Sequence, residues 1–239
     1  MQFLDKSLAT PAENLALDEA LLEVAETSNG TAEVLRLWES PRYAAVLGRS
    51  SRASDEVDLQ SCKQRRIPVV RRTSGGGAVV IGPGCLMYSV FLSYRCRPEL
   101  RMIERAHQFV LGVVASAVAE LVGEVQLSGT SDLTLVGKKF SGNSLRCKRH
   151  WLLYHGTLLY DFPLELISDC LPMPLRQPDY RSDRCHEEFI TNLTAPVEQL
   201  RATLVRRWQA EQPLNDWPRS RTTELAMQKF ADRAWTFAH

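Results

Sequence analysis

Three short runs in this 239-residue chain place chemically capable side chains at defined spacings. The first is Arg71-Arg72-Thr73-Ser74-Gly75-Gly76-Gly77-Ala78-Val79. Three consecutive glycines after a strand let backbone N–H groups converge with no Cβ atoms in the way, and such a concavity takes phosphate or carboxylate oxygens. Arg71 and Arg72 alternate faces if the strand continues, so one points at the anion and the other into support. Arginine suits a forked contact to phosphate better than lysine does. No Gly-Lys-Ser/Thr follows, so the run is not a Walker loop. A strand rather than a helix follows, so it is not a dinucleotide fingerprint. A glycine-rich bulge in a hairpin is the structural alternative.

The second run is Gly137-Lys138-Lys139-Phe140-Ser141-Gly142-Asn143. Adjacent lysines on a strand face opposite ways, so one is solvated and the other is directed at the sheet face. In a partly desolvated cleft that lysine serves a phosphate or carboxylate as a point charge; alone, the run also fits a surface hairpin. The third run is Tyr154-His155-Gly156-Thr157-Leu158-Leu159. Its histidine is either satisfied in the core or presented to a ligand, and Gly156 allows close approach of a ligand or another strand.

These runs need elements to hold them. Thr10-Pro11-Ala12-Glu13 predicts a helix start with a capping box, and Leu17, Leu21 and Val24 line one face of that helix. Residues 34–38, 43–47, 67–72, 78–81 and 86–93 read as strands, and residues 54–65 as helical. The longest helical pattern is 100–122. Residues 133–140 read as a hairpin around Val136-Gly137-Lys138, and 152–160 as a strand interrupted at His155-Gly156. Shorter helices are expected over 164–170, 196–209 and 224–235. The mixture lacks a strict β-α-β alternation, so the expected class is α+β with a mixed, largely antiparallel sheet flanked by helices.

Composition narrows the function. Lys plus Arg is 29 and Asp plus Glu is 28, a net charge of +1, which argues against a strongly basic nucleic-acid binder and an acidic disordered tail. The longest weakly charged run, 109–119, is shorter than the roughly 20 residues that span a bilayer, so no membrane association is expected. Met1 to Asp5 leads into no apolar segment of a secretory signal. The six cysteines form no Cys-x-x-Cys pair and read as reduced thiols of a cytoplasmic protein, and the adjacent Cys185-His186 makes a poor metal pair.

Taken in order, the glycine run, Ser131-Asp132-Leu133, the lysine run and His155-Gly156-Thr157-Leu158-Leu159 resemble the lipoate–protein ligase A family, as does Glu13-Asn14-Leu15-Ala16-Leu17-Asp18-Glu19-Ala20-Leu21-Leu22. The resemblance runs from Asn14 to Leu193. It implies the catalytic fold of biotin and lipoyl protein ligases, similar to class II aminoacyl-tRNA synthetases, as a single catalytic domain over 1–239 with C-terminal helices from about residue 195. It implies two steps: lipoate or octanoate attacks the α-phosphate of ATP to give acyl-AMP, and a lysine of a lipoyl domain then displaces AMP. By matched motif, Arg72, Ser74, Gly75, Gly76, Gly77, Ala78, Val79 and Val80 contact the nucleotide or acyl-adenylate. Lys139 is the catalytic residue, binding the acyl carboxyl oxygen and the α-phosphate. Arg71, Ser141, Gly142 and Gly156 fall to the substrate side. Trp38, Val79 and His155 are expected walls for the apolar tail, and Asp132 an expected magnesium position.

Two departures shape the alternatives. Ile81-Gly82 stands where the ligase pattern has His-Asp, and only 46 residues follow Leu193, too few for the ligase's small accessory domain. The chain is therefore expected either to need a separate accessory subunit or to perform a simpler reaction. That simpler reaction is octanoyl transfer from an acyl carrier protein, through a cysteine lying shortly before the lysine hairpin in such relatives. Residues 126–131 here contain no cysteine, and Cys147, among Arg146, Lys148 and Arg149, is the nearest candidate nucleophile. A third reading is a non-catalytic module binding lipoyl groups or acyl-adenylate. Biotin ligation lacks its Gly-Arg-Gly-Arg run. The cluster Arg146-Cys147-Lys148-Arg149-His150 is either a solvated loop or the docking point for an acidic lipoyl domain or H-protein-like acceptor.

Overall fold

Thr10 opens the first helix as its residue type dictates. Its hydroxyl accepts from the Glu13 N–H at 3.2 Å, and Glu13 Oε2 accepts from the Thr10 N–H at 2.8 Å. Such a cap contributes about 1 kcal/mol. The structure is a computed structural model describing residues 1–28 and 30–239. In chain order its elements are β1 (Gln2–Asp5), α1 (Pro11–Thr27), β2 (Val34–Trp38), β3 (Ala44–Leu47), α2 (Ala53–Glu56), α3 (Leu59–Gln64), β4 (Val69–Arg71), β5 (Val79–Ile81) and β6 (Cys85–Ser93). Then come α4 (Ile103–Val122), β7 (Gln126–Ser128), β8 (Asp132–Leu135), β9 (Lys138–Cys147), β10 (Trp151–Leu159), α5 (Glu165–Cys170), α6 (His186–Phe189), α7 (Val197–Arg207), β11 (Gln212–Pro213), α8 (Arg219–Leu225) and α9 (Arg233–Thr236).

Eight strands form one sheet in the order β11-β1-β2-β6-β10-β9-β8-β7. Its β11-β1-β2 edge is parallel and the rest antiparallel. A second sheet has the order β4-β3-β5. The architecture is thus α+β with a mixed, largely antiparallel sheet, as the sequence implies.

Alternation along the central strands decides what reaches the site. On β6 and β10, Leu86, Tyr88, Val90, Leu92, Leu152, Tyr154 and Leu158 face one way and pack with Val110, Val114 and Val118 of α4. Each fully buried aliphatic side chain there contributes about 1.5–3 kcal/mol. The intervening residues face α1, where Phe91, Trp151 and Leu153 meet Leu17, Leu21 and Leu22. His155 belongs to this second set. Helix α4 is long and apolar enough to cross a membrane by length and composition alone, yet its Ala106, Val110, Val114 and Ala117 are buried in this core.

Several elements differ from expectation. The pattern over 54–65 splits into α2 and α3 because Asp58 caps the second helix, accepting from the Ser61 N–H at 2.8 Å. Strand β10 runs unbroken through His155-Gly156. The stretch 224–235 is three pieces: the end of α8, a π turn at Ala226–Phe230, and α9, capped by Asp232. Strands β1, β7 and β11 were not signalled by the sequence pattern; two to four residues give too short a run of alternation to read.

Candidate active site

Strands β4 and β5 flank β3, so the glycine run between them crosses the C-terminal end of β3. The Arg72 N–H donates to Leu47 O at 3.0 Å and the Arg49 N–H to Ser74 O at 2.8 Å, tying the loop to that strand end. Gly76 has φ +82, and a Cβ on Gly48 would lie 1.8 Å from the Gly76 carbonyl oxygen, so the loop closes only over glycine.

Arg72 lies under this loop, buried to 7% exposure. Its Nε donates to Ser74 Oγ at 3.0 Å, Nη1 to Val46 O at 3.2 Å, and Nη2 to Gly75 O and to Gly77 O at 2.9 Å. Burial pulls its pKa down to about 10, still charged at neutral pH. Ser144 Oγ donates to Gly75 O at 2.9 Å and Ser51 Oγ to Gly76 O at 3.3 Å. All three glycine carbonyls are therefore held by protein donors. The N–H groups of Gly75, Gly76 and Gly77 have no partner among the described residues, and all three glycines line the cavity. That is a preorganised set of donors for anionic oxygens. The next amide, Ala78 N–H, donates to Glu56 Oε2 at 2.6 Å.

The lysine arrives from β9 through a bulge. A two-residue turn at Val136-Gly137 (φ +49 and +71) joins β8 to β9. The register then shifts between Leu133 and Thr134, leaving Phe140 as the extra residue. The shift changes which residues of β9 face the site. Phe140 packs in the α4 core, while Ser144, opposite His155, lies on the other face with Lys139. Bulges commonly re-aim side chains next to active sites in this way. Lys138 is exposed and Lys139 half-buried, the division expected of adjacent lysines. Lys139 Nζ lies 2.8 Å from Asp132 Oδ1, and the Tyr180 hydroxyl donates to Asp132 Oδ2 at 2.7 Å.

A third set of side chains joins loop and sheet. His155, 6% exposed, has Nε2 at 2.6 Å from Ser74 Oγ and Nδ1 at 3.8 Å from Asp18 Oδ2. Asp18 comes from α1 and is buried against Arg36 Nη1 at 2.6 Å and the Ser89 hydroxyl at 2.8 Å. Burial raises the Asp18 carboxyl, but Arg36, His155 and Ser89 outweigh it and hold its pKa below the ordinary value. Glu19, the next residue of α1, accepts from the Thr73 hydroxyl at 2.7 Å.

One cleft of about 840 Å³ unites these parts. The loop from Gly75 to Val80, Arg72, Lys139, Ser141, Gly142, Asp132, His155 and Gly156 all line it. Its apolar end is made by Leu15, Val79, Ile81, Met87 and Leu159.

The structure corrects four placements. Trp38 is fully buried on β2 and packs in the core beneath the small sheet, with the Arg36 guanidinium 4.9 Å over its ring; it does not line the cleft. Arg71 is equally buried and turns away from the cleft. It donates to the carbonyls of Gly48, Ser51, Trp235 and Thr236, so it braces the loop and the C-terminal turn instead of touching substrate. Cys147 ends β9, eight residues from Lys139 or about 26 Å of strand; no cysteine lines the cleft. Ser74 is 1% exposed and supports the loop from within.

Asp132 bears on magnesium. Both of its oxygens are engaged by protein donors, and no group of three His, Cys, Asp or Glu side chains suited to a metal gathers among the described residues. Among the described residues these side chains do not by themselves form a magnesium centre.

Sequence reasoning missed Asp18, Arg36, Glu56, Ser144 and Tyr180. Asp18 left a trace: an acid amid Leu15, Leu17, Leu21 and Leu22 on a buried helix needs a partner. The others depend on contacts between distant parts of the chain.

A protein of Aeropyrum pernix named for lipoate-protein ligase A is 31% identical over 150 residues, 63% of this chain and 54% of its own. The chain spans about half the length of the curated relatives it matches at this identity. The octanoyltransferase LipM of Oceanobacillus iheyensis is 28% identical over 212 residues, 82% of this chain and 77% of its own. In fold, the chain is similar to the bi-partite lipoate protein ligase of Thermoplasma acidophilum, solved in a study with its E2 lipoyl domain, at a TM-score of 0.83 and 22% identity over 99% of this chain and 95% of that one. The model of the lipoyl protein ligase A/B catalytic domain matches residues 10–212, and the chain belongs to that family.

Proposed function

We propose that this chain is the catalytic part of a lipoate–protein ligase, activating lipoate or octanoate with ATP and passing the acyl group to a lysine of a lipoyl domain. The observation that carries this reading is the shared cleft. It joins the unpaired Gly75–Gly77 amides to Lys139 and contains no cysteine.

The chemistry follows from the parts. The acyl carboxylate attacks the α-phosphorus, the bond to the bridging oxygen breaks, and pyrophosphate leaves with the electron pair. In this reading Lys139 and the glycine amides meet the charge that builds on the phosphoryl oxygens, and fixed donors need no reorganisation during the step. The acceptor amine then attacks the acyl carbonyl, AMP leaves, and the amine gives up its proton as the amide forms. The apolar end at Leu15, Met87 and Leu159 suits an aliphatic arm, and holding both reactants in line supplies much of the rate.

Charge on the β9–β10 turn suits an acidic acceptor. Arg149 and His150 are exposed there, and Glu26 clamps the turn by accepting from the Arg149, His150 and Trp151 N–H groups at 3.0–3.1 Å. The turn begins four residues beyond Ser144, about 13 Å of strand from the cleft. The bi-partite organisation of the Thermoplasma acidophilum ligase supports a separate accessory subunit for this chain as well.

Octanoyl transfer is the second reading, favoured by the similarity to LipM. The two separate cleanly in one assay on a lipoyl-domain acceptor analysed by intact mass. A ligase acylates the acceptor with free lipoate or octanoate only when ATP is present. A transferase acylates it from an acyl carrier protein thioester without ATP. The second pattern overturns the ligase reading.

A further inference from the structure

Arg181 stands out among the residues that line the cleft. It belongs to a single turn at Asp179–Arg181 and is 4% exposed, yet it lines the cavity. A buried guanidinium normally has a carboxylate partner. Arg181 has none among the described residues. Its Nε donates to Arg184 O at 2.9 Å, and its Nη2 reaches only the Met173 sulfur at 3.2 Å and His186 Nδ1 at 3.4 Å. Its Nη1 has no hydrogen-bond partner at all among them. The plane is held by stacking 4.5 Å from the Phe189 ring centroid, with Arg184 over the same ring at 5.2 Å. Burial also weighs against its charge, as expected for a cation awaiting an anion.

Its neighbour tells where that anion lies. Tyr180, one residue back, bonds to Asp132, and Asp132 pairs with Lys139. The same turn thus fixes the partner of the lysine and presents a second cation to the same cleft. Lys139 and the glycine amides already serve the α-phosphoryl and carboxyl oxygens in the proposed ligase reaction.

We propose that Arg181 is the seat of the β,γ-diphosphate of the nucleotide, gripping the pyrophosphate that departs when the acyl-adenylate forms. This rests on the ligase reading for its place in the reaction, while the anion seat stands on the geometry alone. When the bridging bond breaks, the electron pair passes to pyrophosphate, and a forked, desolvated guanidinium is suited to that added charge.

Three measurements on the full chain test it. Calorimetric titration with inorganic pyrophosphate is expected to show binding to the wild type that weakens about 10- to 100-fold in Arg181→Gln, with partial recovery in Arg181→Lys. KM for ATP in adenylation is expected to rise by a similar factor. Transfer from preformed acyl-AMP, which lacks the two outer phosphates, is expected to stay within about twofold. Equal pyrophosphate binding by wild type and Arg181→Gln, or no binding by either, overturns the inference. So does a parallel fall of both half-reactions, which is what a merely structural arginine gives. Pyrophosphate binding that depends on Arg181 in a protein unable to adenylate any acid rejects the ligase reading and keeps the anion seat.

Discussion

The Ser74 hydroxyl lies 2.6 Å from His155 Nε2, and with the bond from Ser144 Oγ to Gly75 O this contact ties the glycine loop to the central sheet. Arg72 Nε donates to Ser74 Oγ at 3.0 Å and carries no acceptor, so Ser74 Oγ must accept there. With that oxygen accepting from Arg72, its own proton can go to Nε2. The imidazole proton then sits on Nδ1, facing Asp18 at 3.8 Å. A continuous path of polar contacts runs from Arg36 through Asp18, His155 and Ser74 to Arg72.

Ser74→Ala removes a contact from both neighbours at once and leaves a buried donor, Arg72 Nε, and a buried acceptor, His155 Nε2, unmatched. Stability is expected to fall by about 1–3 kcal/mol in urea denaturation. Because Arg72 shapes the cradle, KM for ATP is expected to rise while the affinity for free lipoate changes less. Unchanged stability and unchanged KM together contradict the bracing role.

Gly156→Ala meets the neighbouring strand. A Cβ there would lie 1.7 Å from Asn143 Oδ1, the atom that accepts from the Tyr88 hydroxyl, and 2.8 Å from the Tyr88 ring. Asn143 in turn donates to Ser131 O at 2.8 Å and Ser141 Oγ at 3.0 Å beside the cleft. The substitution is expected to cost about 1–3 kcal/mol and to lower adenylation with it. A variant as stable as the wild type shows that the strands separate freely there.

Acid is expected to destabilise the fold in two stages. Burial pushes the His107 imidazole below 6.5, and burial with the nearby Arg181 does the same for His186. Asp18 is held below 3.8. In each case the unfolded chain takes up the proton first as pH falls. The histidine contribution is full above about pH 6.5 and declines as pH drops through that value toward the folded pKa values. The Asp18 contribution is present above 3.8 and is lost only as pH drops through its lower folded value. Urea unfolding across this range checks the sign, and His107→Gln is expected to flatten the upper stage. A stability that rises on acidification below pH 6.5 contradicts it.

Charge reversal on the β9–β10 turn separates docking from chemistry. Arg149→Glu is expected to raise KM for an acidic lipoyl domain by about 5- to 50-fold at low salt, with the gap closing as salt screens the pair. Adenylation of free lipoate is expected to stay unchanged. Equal KM values at low salt place the acceptor elsewhere.

The ordered motifs made the cleft legible, because glycines, arginines and a lysine carry their chemistry in their own shapes and charges. The sheet class was legible from alternation over long strands such as β6 and β10. Side-chain direction was harder. Arg71 and Arg72 are neighbours of one type, and only the carbonyls of Gly48, Ser51 and Thr236 decide that Arg71 turns away. Trp38 looked like a pocket wall because aromatic bulk suits both walls and cores; full burial of all five β2 residues settles it as core. The β9 bulge has no local signature, and neither does the Tyr180–Asp132 contact across 48 positions.

Lipoate-dependent exchange of labelled pyrophosphate into ATP, compared between wild type and Lys139→Ala, reads the shared cleft most directly. The account expects exchange in the wild type and a loss of about 100- to 1,000-fold in the variant, with the fold intact by circular dichroism. Exchange by the variant at the wild-type rate would show that the lysine and the glycine cradle do not act on the same activated acid.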